Sequence, residues 1–327
     1  MPAVELFHGT VHYREWGTGA PVVLLHGYLM GASLWDPVAE RLAGEFRVVV
    51  PELPFGAHPA PLNPGADLTA AGLGRLVADF LAALGLTGAT LVGNDSGAAV
   101  AQVVAARHAE RLGGLVLATG DAFSNFPPTL FRPLIAAART GTLTPLIALL
   151  KSRPARSLPS AYGWLTHGDL PHDLIDGWVG AYFGDQGVRR DLRRLTAALG
   201  DDDFMHQIAA ELASFTGPAL LAWAADDKFF PVEHARRLAA ILPGARVELI
   251  EDSRTWVMLD QPDRTARLIA GLAREAAARQ AGAEQAGARQ AAAEQAGAGQ
   301  AGAGQAGAEQ AGAEQAGAEQ AAARQAD

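Results

Sequence analysis

Leu91-Val92-Gly93-Asn94-Asp95-Ser96-Gly97-Ala98-Ala99 decides how this chain folds. An apolar run over 89–92 meets a Gly-x-Asp-x-Gly turn, and an Ala-rich helical pattern follows to about His108. A strand that breaks on a tight turn straight into a helix holds its apex residue on a strained backbone, pointing into a cleft. Gly93 and Gly97 bracket Asp95, so Asp95 is the apex, and small residues on either side let the turn close without a clash. Ser96 does not fit that place, because the chain has Asn94 and Ala98 where glycines would then be needed.

Upstream, residues 4–7 and 11–16 read as short strands around His8-Gly9-Thr10. Residues 21–25 form a continuous apolar run, the mark of a strand buried on both faces. A helix over about 33–42, a strand over 46–50, a Pro-rich loop and a long periodic helix from Asp67-Leu68-Thr69 to about Leu84 follow. Downstream comes a strand over 115–118. Strand and helix alternate throughout, which predicts an α/β class with a mostly parallel sheet flanked by helices. The alternation stops at Asp121, and from 122 to 215 the pattern is helical, broken at Pro127-Pro128, Pro154 and Pro171. It resumes with a strand over 219–224, a helix over 232–242, a strand over 246–250 and an amphipathic helix from Pro262 to about Ala277. The expected organisation is a core made of 1–121 and 216–277, with a helical cap insertion over 122–215.

Residues 278–327 are different material: a five-residue unit such as Ala-Gly-Ala-Glu-Gln repeats without a large apolar side chain. Successive units advance about 140° around an α-helix, so no face stays apolar. Each Gly weakens a helix by roughly 1 kcal/mol relative to Ala. A disordered or transiently helical low-complexity tail is expected.

Composition sets outer limits. The 327 residues are 49% hydrophobic, enough for one large core with an insertion. A net charge of −9 argues against a general nucleic-acid binder. With no cysteine, disulfides and thiolate chemistry are excluded. The first residues lack the basic flank and apolar run of a signal peptide, and no stretch nears the ~20 apolar residues of a membrane span. A soluble, cytoplasmic protein without membrane attachment is the expectation. The nine histidines show no ligand spacing, so neither a metal nor an organic cofactor is expected.

A carboxylate at the apex suggests a particular chemistry. It is ionised at neutral pH without help and can attack an sp³ carbon bearing a leaving group, giving an alkyl ester of the protein. Water must then cleave that ester, which needs a general base, normally histidine. A third piece is the buried run 220–224 leading into Asp226-Asp227 and the Pro-led helix at Pro231. These acids read either as part of a site or as solvated caps of the following helix.

With the segments in this order, the chain resembles the α/β-hydrolase superfamily from about Val4 to Ala277. Its Asp95 turn is similar to the nucleophile elbow of haloalkane dehalogenases, fluoroacetate dehalogenases and epoxide hydrolases. The resemblance implies the α/β-hydrolase fold and a soluble hydrolase acting on a small, largely apolar molecule through Asp95, at an ester, epoxide or carbon–halide bond. It implies that the loop at His26-Gly27 brings the Tyr28 N–H beside the Ser96 N–H, on a developing anion or departing halide. It makes Asp227, with Asp226 as neighbour, the acid that orients a histidine.

The chain departs from that pattern at the histidine itself. In Glu251-Asp252-Ser253-Arg254-Thr255-Trp256 the expected position holds Thr255, which cannot be a general base near neutral pH. Three readings stay open. His26, His206 or His234 substitutes; or Asp95 serves as base, acid or binding group in a lyase or isomerase reaction; or the protein binds a small molecule without catalysis. Arg254 is a candidate partner for Asp227 or Asp252. Ser96 stands where dehalogenases carry a halide-holding tryptophan. Tyr162 and Tyr182 of the cap are candidates for the tyrosines with which epoxide hydrolases protonate their substrate. Beside Trp164, Trp178 and Phe183 they read equally as packing residues of an apolar pocket, with His26 nearby. The sequence leaves the oligomeric state open.

Overall fold

Apolar runs with no polar face set the middle of the sheet. The computed structural model describes residues 1–324, and for 291–308 the backbone alone. The strands are β1 (Ala3–Leu6), β2 (Gly9–Trp16), β3 (Ala20–Leu25), β4 (Phe46–Pro51), β5 (Ala89–Asp95), β6 (Leu112–Gly120), β7 (Ala219–Ala224) and β8 (Arg246–Ile250). They form one sheet in the order β1-β2-β4-β3-β5-β6-β7-β8, antiparallel through β1, β2 and β4 and parallel from β4 onward. The α/β class, the mostly parallel sheet and its flanking helices agree with the sequence reading.

The order reverses beside β3, which has β4 on one side and β5 on the other. In such a sheet a crevice opens outside the carboxyl ends of the strands at the point of reversal. The registers Leu25↔Gly93 and Asp95↔Gly120 bring the ends of β3, β5 and β6 to that edge together. Strand β6 is longer than its apolar run, continuing through Thr119 and Gly120, because the buried Thr119 hydroxyl accepts the Ala224 N–H at 2.7 Å and fastens it to β7. Asp121 is therefore the first residue past the sheet edge.

Around the sheet stand α1 (Asp36–Leu42), α2 (Ala70–Ala83, capped by the Thr69 side chain on the Gly72 N–H) and α3 (Ser96–Arg107). The insertion after β6 supplies α4 (Arg132–Thr140), α5 (Leu143–Ala148), α6 (Arg153–Arg156), α7 (His172–Gly184), α8 (Gln186–Ala198) and α9 (Asp202–Glu211). Of these, α9 packs on the core: Met205 is buried with Ala70 and Ala99, and Arg107 holds Glu211 through Nε and Nη2 at 2.8 and 3.1 Å. After β7 come α10 (Val232–Ile241), α11 (Val257–Asp260) and α12 (Pro262–Ala323).

The chain divides into two units, 1–277 and 278–327. In the first, the opening turns of α12 bury Ile269, Leu272, Ala273 and Ala276. In the second, the described residues are helical to Ala323, the helical form that the sequence left open beside disorder. Ala, Gln, Glu and Arg are all strong helix formers, and they outnumber the glycines. Pairs four apart, such as Gln280 with Glu284 at 3.2 Å, add to this. No helix among the described residues is long and apolar enough to cross a membrane.

Candidate active site

Asp95 ends β5 with φ 54° and ψ −128°, a conformation an L-residue adopts at a cost on the order of 1–3 kcal/mol. Close approach of backbones holds it there. A Cβ on Gly97 would lie 2.6 Å from both the His26 and Leu25 carbonyl oxygens, so only glycine lets α3 start against β3. Gly27 plays the matching part from the other side, since a Cβ there would meet Asp95 Oδ1 at 2.3 Å. The Asp95 carboxylate thus rests on bare backbone.

The two expected backbone donors converge, but on Asp95 itself. Ser96 N–H donates to Asp95 Oδ1 at 2.7 Å and Tyr28 N–H donates to the same oxygen at 3.2 Å. Burial raises the Asp95 carboxyl above its usual range, while these N–H groups pull it back. The sequence reading gave the pair to a departing halide or developing anion. The aspartate side chain is long enough to put one oxygen into the hole that a serine would leave to its substrate.

Asn94, which the sequence reading treated only as a non-glycine, is fully buried. Its Nδ2 donates to the carbonyls of Ala118, Thr119 and Thr255 at 2.5, 3.1 and 2.7 Å. It ties β5 to the end of β6 and to the turn carrying Thr255. Nothing in the local sequence pattern marks that role, since its partners lie on separate segments.

Asp227 takes the inward position and Asp226 does not. Asp227 Oδ1 accepts from the Phe229 and Phe230 N–H groups, each at 2.7 Å, and Oδ2 accepts from the Thr255 hydroxyl at 2.7 Å. Asp226 turns outward to His167 Nε2 at 3.2 Å. Arg254 pairs with neither Asp227 nor Asp252: its Nη1 donates to the Thr166 carbonyl. Without a cation, burial pushes Asp227 up to about 6, against the pull of Thr255 and the two N–H groups, with Asp95 adding to the rise.

None of the three candidate histidines reaches the site. His26 Nε2 accepts the Leu53 N–H and its Nδ1 faces the Gly27 carbonyl, each at 3.0 Å, which fixes a neutral ring with no free lone pair. Burial holds it down at about 4. It is a brace behind the loop, not a pocket residue. His206 bonds Ser124 at 2.8 Å, and His234 packs on Phe123. Among the described residues, no histidine, arginine, lysine or tryptophan lines the cavity at Asp95.

That cavity, about 290 Å³, is lined by Asp95, Ser96, Asp121, Tyr28 and Tyr162, with Pro127, Phe131, Leu134, Ile147 and Leu150 among its apolar walls. Leu146, Leu149 and Leu158 also line it while 42%, 59% and 53% exposed, which places an apolar rim at its opening. Tyr162 lies where a pocket tyrosine was expected, yet its hydroxyl donates to the Leu29 carbonyl at 2.8 Å and its ring packs on Trp178 and Trp256. Tyr182 is outside the cavity: its hydroxyl meets Thr144 at 2.8 Å, because the face of α7 that carries it turns to α5. Asp121 was missed. Its signal in sequence was its place directly after β6, obscured because the strand looked shorter than it is.

The comparisons with known proteins bear on the fold. The model of the α/β-hydrolase fold family matches residues 20–262, well over half of the chain. A haloalkane dehalogenase of Mycobacterium tuberculosis is 27% identical over 269 residues, covering 80% of this chain and 90% of the relative. A 2-hydroxy-6-oxononadienedioate/2-hydroxy-6-oxononatrienedioate hydrolase of Burkholderia vietnamiensis is 28% identical over 281 residues, covering 81% and 91%. The solved structure of a thermophilic esterase from Thermogutta terrifontis superposes with a TM-score of 0.66 at 24% identity, over 84% of this chain and 99% of that one.

Proposed function

The chain belongs to the α/β-hydrolase fold family, and we propose that it hydrolyses a small, largely apolar substrate with Asp95 as the nucleophile. The observation that carries this reading is the placement of Asp95 Oδ1 between the Ser96 and Tyr28 N–H groups. Two donors on one oxygen orient the carboxylate and leave Oδ2 as the attacking atom. They also favour the charged form against the burial that raises the group, as a carboxylate that must attack while ionised requires. Attack of Oδ2 on an sp³ carbon displaces the leaving group and forms an alkyl ester. When water adds to Asp95 Cγ, negative charge develops on Oδ1, where the same two N–H groups already point. The names of the Mycobacterium and Burkholderia relatives support hydrolysis, and the apolar cavity supports a substrate with little polar surface.

The test is a single turnover in H₂¹⁸O with a panel of epoxides, haloalkanes and esters, read by intact and peptide mass. One ¹⁸O in Asp95 is expected, and Asp95→Ala is expected to lose at least about a thousandfold in turnover. Turnover without label in Asp95 would sink the covalent route.

A further inference from the structure

We propose that Asp121 is a second catalytic carboxyl, the carrier of the one proton the cycle needs, and that it adapts the cavity to substrates whose leaving atom is an oxygen, epoxides above all. The proposal rests on Asp95 being the nucleophile.

The Asp121 backbone is tied to the Asp95 turn. Its N–H donates to the Asp95 carbonyl at 3.2 Å, and its own carbonyl accepts from Gln102 Nε2 at 2.7 Å. The residue lines the same cavity although it is only 1% exposed, and its buried Oδ1 has no hydrogen-bond partner among the described residues. The Ser96 hydroxyl interacts with both carboxyls. Two carboxyls facing an apolar cavity without a cation cannot both ionise. Asp95 has the two N–H donors, so it keeps the charge. Burial, and then the Asp95 charge, push Asp121 well above the usual carboxylate range. The resting pair is an Asp95 carboxylate beside an Asp121 carboxylic acid.

No other group in the cavity has a proton to give as readily. The Tyr162 hydroxyl donates to the Leu29 carbonyl. The Tyr28 hydroxyl donates to Thr196, whose own proton goes to the Leu192 carbonyl.

The cycle then closes without histidine. Asp95 Oδ2 bonds to an epoxide carbon as the carbon–oxygen bond breaks, and Asp121 protonates the departing oxygen. That leaves a hydroxyalkyl ester on Asp95 and a carboxylate at Asp121. The Asp121 carboxylate takes a proton from water as the hydroxide adds to Asp95 Cγ, giving a tetrahedral oxyanion on Oδ1. Collapse breaks the bond between Cγ and the alkyl oxygen. The new Asp95 carboxylic acid protonates that alkoxide, which leaves as a diol. Asp95 is again a carboxylate and Asp121 again an acid, and one water has been consumed. A haloalkane fits less well. Halide needs no proton to leave, its hydrolysis generates an acid that the pair must shed, and among the described residues no tryptophan or asparagine lines the cavity to hold a halide.

Full-length Asp121→Asn separates these steps, with styrene oxide and 1-bromohexane as probes. The expected result is a loss of a hundredfold or more in styrene oxide turnover. Alkylation of Asp95 by 1-bromohexane is expected to continue, with the hexyl ester accumulating because its hydrolysis stalls. A melting temperature at or above wild type is expected to show that the variant folds, and Asp121→Ser stands in if it does not. Styrene oxide turnover within threefold of wild type overturns the proposal, as does wild-type preference for 1-bromohexane. Absence of ¹⁸O in wild-type Asp95 strikes the nucleophile reading instead. Label in Asp95 with an innocuous Asp121→Asn strikes this inference alone.

Discussion

The two turns that meet at this site are fixed in different ways. The β5 turn combines a strained Asp95, glycines where main chains touch, and two N–H groups on one oxygen. The turn after β8 carries a hydroxyl rather than a base. Thr255 reaches Asp227 as an imidazole would, but its hydroxyl ends the chain of hydrogen bonds there. One turn is fixed by contacts between main chains, which tolerate almost no substitution. The other is fixed by Asn94 gripping the Thr255 carbonyl, which is indifferent to the side chain at that position. The shape of that turn therefore does not depend on what position 255 carries.

Three measurements bear on this contrast. The largest effect is expected at the rigid turn. Gly97→Ala puts a methyl 2.6 Å from two carbonyl oxygens and should destabilise the fold by about 3 kcal/mol, read as a shift in urea midpoint. A loss below 0.5 kcal/mol would mean that the turn is more compliant than its packing implies.

The next effect concerns the sign of a pH dependence at Asp227. A histidine partner would hold Asp227 below its ordinary value; here burial pushes it up to about 6. The folded state then binds the proton more tightly than the unfolded chain. The stabilising contribution is complete below the ordinary carboxylate range and is lost as pH rises through about 6. Asp227→Asn removes this titration. Its stability relative to wild type should grow from pH 4 to pH 7, by on the order of 2 kcal/mol. A gap that narrows over that interval would point to a cation beside Asp227.

The smallest effect is expected at the histidines. His206→Ala lies outside the cavity and should change turnover less than about twofold, within the scatter of surface substitutions. A hundredfold loss would reinstate a borrowed base and erase the difference between the two turns.

Much of this was legible in the chain because the signals were local. The buried strands appear as unbroken apolar runs, and the Asp95 turn as glycines at fixed spacing. The errors share a cause as well. His26, Tyr182 and Arg254 have the right chemistry for a site, but their partners at Leu53, Thr144 and Thr166 come from distant segments. In the tail, a lack of apolar surface excludes a core, yet does not exclude a helix of good helix formers.

By itself the sequence determined the α/β layering, the strained apex and a carboxylate at that apex, since each depends on residue type and short-range spacing. Only the tertiary structure decided where the protons and charges lie. It put Asp95 Oδ1 into the pair of N–H groups, turned Asp227 inward and Asp226 outward, and set Asp121 beside Asp95 in a cavity without a cation. Ionisation depends on burial and on neighbours within a few ångströms, and those neighbours are assembled by the sheet rather than by the order of residues along the chain.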